Sequence, residues 1–357
     1  MKKHNYSAGP CILPQEVFKQ SAEAILDFNN SGLSILEISH RSKDFVAVME
    51  EARALVLELL GLEGKGYQAL FLSGGASLEF LMVPYNLMKV DGKAAYLDTG
   101  TWASSAIKEA KHFGETVVVA SSKPENYNHI PKDYTIPADA SYFHCTSNNT
   151  IFGTQMKSFP KTDAPLVCDM SSDIFSRTID FSQFDLIYAG AQKNMGPAGT
   201  TLVVIKEEIL GKTGRTIPNM LDYQQHIAKE SMYNTPPVFP VYASLLTLQW
   251  LKKLGGIAAI EKINEAKANL LYTEIDRNPL FIGTAAKEDR STMNATFLLV
   301  NEAHQETFDA LWKAAGISGL AGHRSVGGYR ASMYNALPLE SVQVLVDVMR
   351  NLENNIY

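Results

Sequence analysis

A lysine stands where an apolar segment of the chain ends. Residues 184–191 read FDLIYAGA, and Gln192 and Lys193 follow directly, ahead of the small residues of NMGPAGT. A lysine at the end of a buried strand is partly desolvated, which lowers the pKa of its amine and makes it a better nucleophile toward carbonyl carbon. A single lysine more often simply reaches the surface, so this feature predicts chemistry only together with partners.

Polar groups follow two other apolar segments in the same way. SGGAS, residues 73–77, comes after YQALFL and before a helical pattern, so the backbone N–H groups of Gly75, Ala76 and Ser77 would open a helix and bind a phosphate. Asp169 ends the apolar segment APLVCD, where an acid is costly without a cationic partner. Each has an ordinary alternative: a glycine turn capped by Ser77, and a loop carboxylate at Asp169.

The phosphate site, the carboxylate and the lysine together match the requirements of one cofactor. Pyridoxal 5′-phosphate needs a phosphate anchor, an acid that pairs with its pyridinium nitrogen and a lysine that forms a Schiff base with it. We therefore predict that Lys193 is the Schiff-base lysine and Asp169 the partner of the ring nitrogen. Trp102 is a candidate for stacking on the ring, Thr150 for bonding its hydroxyl and Gln192 for the phosphate. A core tryptophan and a turn threonine are the alternatives for the first two.

Two His-Arg pairs and one further arginine are candidates for binding anionic substrates. They are His40–Arg41 in ISHRSKDF, and His323–Arg324 followed by Arg330 in GHRSVGGYRAS. Guanidinium groups match phosphate and carboxylate oxygens with paired hydrogen bonds. The alternative for each is a surface salt bridge, which is the usual fate of an isolated arginine. The histidines have no metal-ligand spacing, so no metal site is predicted.

Seven short apolar segments must position these residues. They are typical of strands buried on both faces, and the helical patterns between several of them favour a mostly parallel α/β sheet. The segments are residues 67–73, 94–98, 116–121, 140–147, 164–171, 184–191 and 200–206. Helical patterns cover residues 45–60, 77–88, 241–256 and 342–352. Ligands of such a sheet bind at the carboxyl ends of its strands, where the candidate residues lie.

The length of 357 residues indicates about two domains. Because a glycine pair ends the helical pattern at residue 256, we predict a large domain over residues 16–256. A smaller C-terminal α+β domain is predicted over residues 257–357, together with the N-terminal segment 1–15.

Composition excludes several classes of protein. The chain is 46% hydrophobic and 20% charged, which is typical of a globular protein. A net charge of -6 gives no reason to expect a nucleic-acid partner, and no apolar segment is long enough to span a membrane. Three scattered cysteines and the absence of a signal-peptide pattern favour a reducing, cytoplasmic compartment.

The order of these motifs resembles that of a known family along nearly the whole chain. The resemblance lies in NYSAGPCILP, ISHRSKDF, SGGAS, GTW, CDMSS, GAQKNMGPAG, NTPPVF and GHRSVGGYRASMYNA. These segments are similar to those of the phosphoserine aminotransferases, class V members of the fold-type I pyridoxal-phosphate enzymes. The lysine motif and SGGAS mark the wider superfamily, whereas the HRS, NTPP and GHRSVGGYRAS segments are more specific.

The resemblance implies an activity and further roles. The activity is reversible transamination of 3-phosphohydroxypyruvate with L-glutamate, giving O-phospho-L-serine and 2-oxoglutarate in serine biosynthesis. Some members also form 4-phosphohydroxy-L-threonine in vitamin B6 biosynthesis. Asn234 and Thr235 match positions that reach the cofactor phosphate from the neighbouring subunit, which implies a homodimer with shared active sites. The two His-Arg pairs match the pocket for the substrate phosphate or the glutamate side chain, and Arg330 matches the α-carboxylate site.

Three competing functions differ in the residues that they need. A cysteine desulfurase requires an exposed nucleophilic cysteine, whereas Cys145 and Cys168 fall inside apolar segments and Cys11 lies in the N-terminal segment. An aminotransferase for alanine or serine with glyoxylate has no use for two His-Arg pairs. A non-catalytic protein that binds a phosphorylated ligand needs neither Lys193 nor Asp169.

Overall fold

Strands and helices alternate along the chain, of which the computed structural model describes residues 3–356. The strands are β1 His4–Asn5, β2 Tyr67–Leu72, β3 Lys93–Asp98, β4 Glu115–Ser121, β5 Phe143–Thr146, β6 Asn148–Asn149, β7 Thr154–Gln155, β8 Leu166–Asp169, β9 Leu186–Gly190, β10 Thr201–Lys206, β11 Phe281–Gly283, β12 Asn294–Leu299, β13 Ile317–Ser318 and β14 Tyr329–Ser332. The α-helices are α1 Gln15–Leu26, α2 Lys43–Leu60, α3 Gly75–Leu87, α4 Thr101–Ala110, α5 Tyr223–Ala228, α6 Val238–Leu254, α7 Ile257–Arg277, α8 Gln305–Ala314 and α9 Leu339–Ile356.

The seven predicted apolar segments form one seven-stranded sheet with the order β2-β10-β9-β8-β5-β3-β4. β10 runs antiparallel to both of its neighbours and the other pairs in the sheet are parallel, so the predicted mostly parallel sheet is confirmed. In β9, Ile187 and Ala189 pack into a core on one face of the sheet, and Leu186 and Tyr188 pack into a core on the other. Burial on both faces is the reason that these strands are continuously apolar.

Helices flank both faces of this sheet. α2 and α6 pack against each other on one face, and α3 and α4 lie on the other. α2 begins after Ser42, whose hydroxyl accepts a hydrogen bond from the N–H of Phe45 (3.3 Å). It ends at Gly61, which has a φ of 65° that glycine adopts without steric cost. The layers therefore place the carboxyl ends of the parallel strands at one edge of the molecule.

The C-terminal part of the chain has its own antiparallel sheet with the order β11-β12-β14. This sheet and the helices α7, α8 and α9 surround a second core, which also contains Tyr6 of the N-terminal segment. β1 pairs in parallel with β13 and so brings that segment to this part of the fold. This part of the chain contains both helices and strands, as predicted for the smaller α+β domain. The domain boundary between residues 256 and 257 stays a prediction.

All four predicted helices begin two or three residues earlier than their sequence patterns indicate, α2 at Lys43 and α9 at Leu339 among them. α3 begins at Gly75 and not at Ser77, and Gly74 and Gly75 at its start have φ values of 106° and 71°, which glycine adopts without steric cost. α6 begins at Val238, directly after Pro237. None of the helices within residues 3–356 is both long and apolar enough to cross a membrane.

Candidate active site

A cavity of about 340 Å³ lies at the carboxyl ends of the parallel strands. Ten of the residues predicted from the sequence line it: Gly75, Ala76, Ser77, Trp102, Thr150, Asp169, Gln192, Lys193, His323 and Arg330. They come from positions spread between residue 75 and residue 330, and the two sheets bring them together. The volume is within the range of small-molecule and cofactor sites.

Five predicted residues are not among those that line this cavity in the described part of the chain: His40, Arg41, Asn234, Thr235 and Arg324. His40 and Arg41 lie just before α2, and Arg41 and Arg324 are exposed. Asn234 and Thr235 precede α6, and the amide of Asn234 donates to the carbonyl oxygen of Thr235 (3.2 Å). A single chain therefore supplies the cavity walls without these five side chains.

Lys193 lies directly after β9, at the wall of the cavity. Its amine donates a hydrogen bond to the hydroxyl of Thr150, with Nζ and Oγ1 2.9 Å apart. Burial lowers the pKa of the Lys193 amine, the charge of Arg330 lowers it further, and the carboxylate of Asp169 opposes both effects. A depressed pKa increases the fraction of neutral, nucleophilic amine.

The N-terminal segment fixes the backbone around this lysine. The thiol of Cys11 donates to the carbonyl oxygen of Lys193 (2.6 Å), and the N–H of Cys11 donates to the carbonyl oxygen of Gln192 (3.1 Å). Burial raises the pKa of the Cys11 thiol to about 12, so this cysteine is a thiol at neutral pH. Cys11 has a structural contact with the lysine segment, and a nucleophilic role does not fit it.

Asp169 is the last residue of β8 and is buried. One of its carboxylate oxygens accepts a hydrogen bond from the N–H of Ser171 (2.9 Å). Burial raises the pKa of Asp169, while the hydrogen bonds from Ser171 and the charge of Lys193 lower it. A buried carboxylate with so few donors is suited to a cationic ligand in the cavity.

The first turn of α3 forms the phosphate-binding candidate. No side chain caps this 13-residue helix, so the N–H groups of its first turn are free to bind an anion. Gly74 is required there, since a Cβ at this position would lie 2.4 Å from the side chain of Leu78. Gly190 leaves room for the side chain of Gln192, because a Cβ at residue 190 would lie 2.7 Å from the Gln192 amide oxygen.

The C-terminal part of the chain adds Arg330 and His323 to the lining of the cavity. Arg330 lies on β14, and its buried Nε has no hydrogen-bond partner. Burial lowers the pKa of the Arg330 guanidinium. His323 shares a hydrogen bond with Ser325 through Nδ1 (2.7 Å), and burial, Arg330 and Arg324 all lower its pKa. An arginine with an unused donor that faces a cavity fits an anionic ligand.

Trp102 lies in the first turn of α4, and its side chain is 39% exposed. A tryptophan of the apolar core would be buried, so the core alternative is wrong for this residue. Its position on the cavity wall leaves a ring face available to a planar ligand.

Sequence reasoning missed several lining residues: Ala8, Gly9, Thr146, Asn148, Ser171 and Ser172. Thr146 ends β5, and its buried hydroxyl has no hydrogen-bond partner, as is the case for Arg330 Nε. Two orphaned buried donors on the wall of one cavity indicate a polar ligand. The signal available for Thr146 was its place at the end of an apolar segment, the feature that identified Asp169. Within the described residues there is no group of three His, Cys, Asp or Glu side chains arranged to hold a metal.

A mostly parallel sheet with a lysine, an aspartate and a free helix N-terminus at its carboxyl edge fits an aminotransferase of the α/β class. The family model Aminotransferase class-V matches residues 4–345, and the chain belongs to this family. The family implies pyridoxal phosphate as cofactor. The free N–H groups, the depressed lysine pKa and the buried carboxylate fit the phosphate, aldehyde and ring nitrogen of that group.

Known proteins share both sequence and fold with the chain. It is 85% identical over 356 residues to the phosphoserine aminotransferase of Flavobacterium psychrophilum, with 100% of each chain covered. The solved structure of phosphoserine aminotransferase from Bacillus circulans subsp. alkalophilus is 43% identical with a TM-score of 0.96, covering 100% of this chain and 99% of that one. A PLP-bound phosphoserine aminotransferase from Trichomonas vaginalis is 35% identical with a TM-score of 0.93, covering 98% and 100%.

Proposed function

We propose that the chain catalyses reversible transamination between 3-phosphohydroxypyruvate and L-glutamate, giving O-phospho-L-serine and 2-oxoglutarate. The observation that carries the proposal is that Lys193, Asp169, Arg330 and His323 all line one cavity. The first pair suits amine chemistry on a cationic ring, and the second suits doubly anionic substrates. Relatives named phosphoserine aminotransferase that match the full chain support the same substrate.

Pyridoxal phosphate would be held by residues of the sheet edge. The N–H groups of the first turn of α3 and the amide of Gln192 bind its phosphate, and Asp169 accepts a hydrogen bond from its ring nitrogen. Trp102 packs on the ring, and Thr150 bonds the ring hydroxyl. When bound, this cofactor withdraws electrons from the substrate Cα.

Lys193 has two tasks in this proposal. Its amine binds the cofactor covalently between turnovers, which requires the neutral form that a depressed pKa provides. When it is not attached to the cofactor, the Lys193 amine would take the proton from the substrate Cα as a general base. The hydroxyl of Thr150, 2.9 Å from Nζ, holds that amine at the cavity wall.

Arg330 binds the substrate α-carboxylate with its guanidinium, which has a free Nε donor. His323, with Arg324 and the pair His40–Arg41, binds the substrate phosphate or the side-chain carboxylate of glutamate. His40, Arg41 and Arg324 lie outside the cavity of their own chain, so this part of the proposal requires movement of the chain or a second subunit.

We further propose a homodimer in which Asn234 and Thr235 reach the cofactor phosphate of the neighbouring subunit. Their position outside the cavity of their own chain and the exposure of Thr235 support this arrangement. The cytoplasm is the proposed compartment, and formation of 4-phosphohydroxy-L-threonine is a proposed second activity. The free state of Cys11, Cys145 and Cys168 supports a reducing compartment.

The decisive experiment follows the visible absorption of the protein loaded with pyridoxal phosphate. We expect O-phosphoserine to bleach the cofactor band and alanine, in a separate cuvette, to leave it unchanged. Equal bleaching by alanine would support the assignment of the cofactor and contradict the proposed substrate. A protein that stays colourless with pyridoxal phosphate would overturn the role of Lys193.

A Lys193→Ala variant separates chemistry from binding. We expect a folded protein whose transamination rate falls by at least about 10⁴-fold, since both the covalent attachment and the general base are lost. Lys212→Ala, which changes an exposed lysine, is the matched control and should keep the wild-type rate. Retention of activity in the Lys193 variant would support the non-catalytic alternative for this residue.

A further inference from the structure

Three buried asparagines converge on the loop that follows Asp169. Asn194 donates to the carbonyl oxygen of Ser172 (3.3 Å), Asn335 to that of Phe175 (3.0 Å) and Asn264 to that of Ser176 (2.9 Å). All three asparagines are at most 6% exposed. Each comes from a different element, and together they satisfy three backbone carbonyls of one loop.

This loop, residues 170–176, needs such support. Phe175 is buried and has a φ of 59°, a left-handed conformation that a bulky residue adopts only when its surroundings hold it there. The loop follows Asp169 directly, and Ser171 within it donates to the Asp169 carboxylate. The shape of the loop therefore sets the position of that carboxylate.

Asn335 is the centre of the three. Its backbone N–H donates to the side-chain oxygen of Asn194 (2.9 Å), and its own side-chain oxygen accepts from the amide of Asn264 (2.9 Å). Its amide group donates to Phe175. Asn335 is thus hydrogen-bonded to the loop after Asp169, to Asn194 beside Lys193, and to Asn264 of helix α7. Both polar groups of its side chain have a hydrogen-bond partner.

The segment that carries Asn335 also carries Arg330. β14 ends at Ser332, and Lys267 of α7 donates to the carbonyl oxygens of Met333 and Tyr334 (2.9 Å each). Lys267 is fully buried, and burial lowers the pKa of its amine to about 7. Within the described chain Lys267 has no carboxylate partner, and the two carbonyl oxygens are the acceptors of its buried amine.

We propose that Asn335 is a positioning residue of the active site, which fixes the loop after Asp169, the segment of Lys193 and the strand of Arg330 relative to one another. The inference rests on the proposed function, because those three residues are the partners of the cofactor and the α-carboxylate there. Asn335 does not touch the cavity itself. It acts through Asn194 and the backbone of the loop.

The test compares Asn335→Ala with Asn278→Ala. Asn278 is equally buried and also makes three hydrogen bonds, to Glu274, to the carbonyl of Met349 and from the N–H of Leu280, away from the cavity. Both variants lose a buried amide, so both should lose thermal stability. Only a positioning role predicts a difference between them at the active site.

The first readout is amide hydrogen exchange of the cofactor-free protein at a temperature where all proteins are folded. In Asn335→Ala we expect exchange of residues 170–177 and of residues 329–336 to accelerate together by about tenfold or more. In Asn278→Ala both segments should exchange at the wild-type rate. Unchanged exchange in either segment of Asn335→Ala would overturn the proposal.

The second readout is the dissociation constant of pyridoxal phosphate, with kcat and KM for O-phosphoserine measured on the loaded protein. We expect Asn335→Ala to weaken cofactor binding and to lower kcat/KM by about tenfold, and Asn278→Ala to change neither. Equal effects of the two variants on cofactor binding and kcat/KM would show that Asn335 contributes only to stability. If wild type fails to transaminate phosphoserine, the proposed function fails, while the exchange and cofactor measurements still decide the role of Asn335.

Asn335→Asp is the second variant, to be measured if Asn335→Ala does not fold. It keeps the volume, the backbone donor to Asn194 and an oxygen that accepts from Asn264, and it replaces the donor to Phe175 with an oxygen that repels the Phe175 carbonyl oxygen and carries charge when ionised. We expect faster exchange confined to residues 170–177 and weaker cofactor binding. Wild-type exchange in that segment would overturn the proposal.

Discussion

The amine of Lys193 lies 2.9 Å from the hydroxyl of Thr150. The two residues are 43 positions apart in the sequence, and each stands at the end of a different strand segment. Thr150 is buried in the turn between β6 and β7, whereas Lys193 follows β9. The turn therefore holds the reactive amine against the cavity wall, next to the position proposed for the cofactor ring.

Replacement of Thr150 should weaken the site without abolishing it. We expect Thr150→Val to lower cofactor affinity and kcat/KM by about tenfold, which corresponds to the loss of one hydrogen bond of about 1.4 kcal/mol. Thr150→Ser keeps the hydroxyl and should keep most of the activity. Fluorescence titration with pyridoxal phosphate and initial rates measure both effects, and equal losses in the two variants would contradict the role of the hydroxyl.

Asp169→Asn should reduce the rate of the chemical step more than it reduces folding stability. The amide has the same size but no charge to hold a proton on a ring nitrogen, so we expect kcat to fall by about 10²-fold or more. The matched control is Asp289→Asn, which changes a buried aspartate that accepts from the N–H of Ile130 (2.8 Å) and does not line the cavity. Single-turnover absorption measurements should separate the two, and a normal rate in Asp169→Asn would remove Asp169 from the mechanism.

Arg330→Lys should raise KM for amino acids and oxo acids alike. Lysine keeps the charge and loses the planar pair of donors that fits a carboxylate, so we expect an increase of about 10- to 100-fold with a smaller change in kcat. Steady-state kinetics in both directions check this, with Arg350→Lys as a control on an arginine that is 51% exposed. A KM effect restricted to phosphorylated substrates would instead place the phosphate, and not the α-carboxylate, at Arg330.

The strands and the positions of Lys193 and Asp169 at the cavity were predictable because both follow from local sequence. Strands buried on both faces read as continuous apolar segments, and a charged residue directly after such a segment, as at Asp169 or Lys193, is unusual enough to identify. The helical pattern of α3 was placed from residue 77, two residues late, because two consecutive glycines are typical of a loop. Its helical turn depends on packing that a local pattern does not contain.

Sequence patterns could not predict the hydrogen bonds of the buried asparagines, for another reason. Asn194 and Asn335 are 141 residues apart, and buried asparagines carry no periodic signal. Their hydrogen bonds exist only because the smaller antiparallel sheet packs beside the carboxyl edge of the large one. The orphaned hydroxyl of Thr146 is similar, since threonine is common in strands and only its missing partner marks it.

A buried acid lies on α3, the helix whose first turn is proposed to bind the cofactor phosphate. Glu79 of α3 is fully buried, accepts a hydrogen bond from the hydroxyl of Tyr223 and has a second oxygen without a partner. Burial raises its pKa to about 8 from an ordinary value of 4.5, and the Tyr223 hydrogen bond opposes this only in part. The folded protein therefore keeps a proton on Glu79 in a pH range where the unfolded chain has lost it.

This difference makes stability fall as pH rises from about 4.5 to about 8, because the folded state binds one proton more than the unfolded state across that window. Glu79→Gln removes the titration, so we expect its stability relative to wild type to improve by about 4 kcal/mol between pH 4.5 and pH 8.5. The unpartnered oxygen becomes an amide group with unsatisfied donors, which costs stability equally at every pH. The measurement is therefore the slope of the variant-minus-wild-type free energy of unfolding against pH, with exposed Glu63→Gln as the control that should give a flat line. A flat line for Glu79→Gln as well would show that Glu79 is ionised in the folded protein.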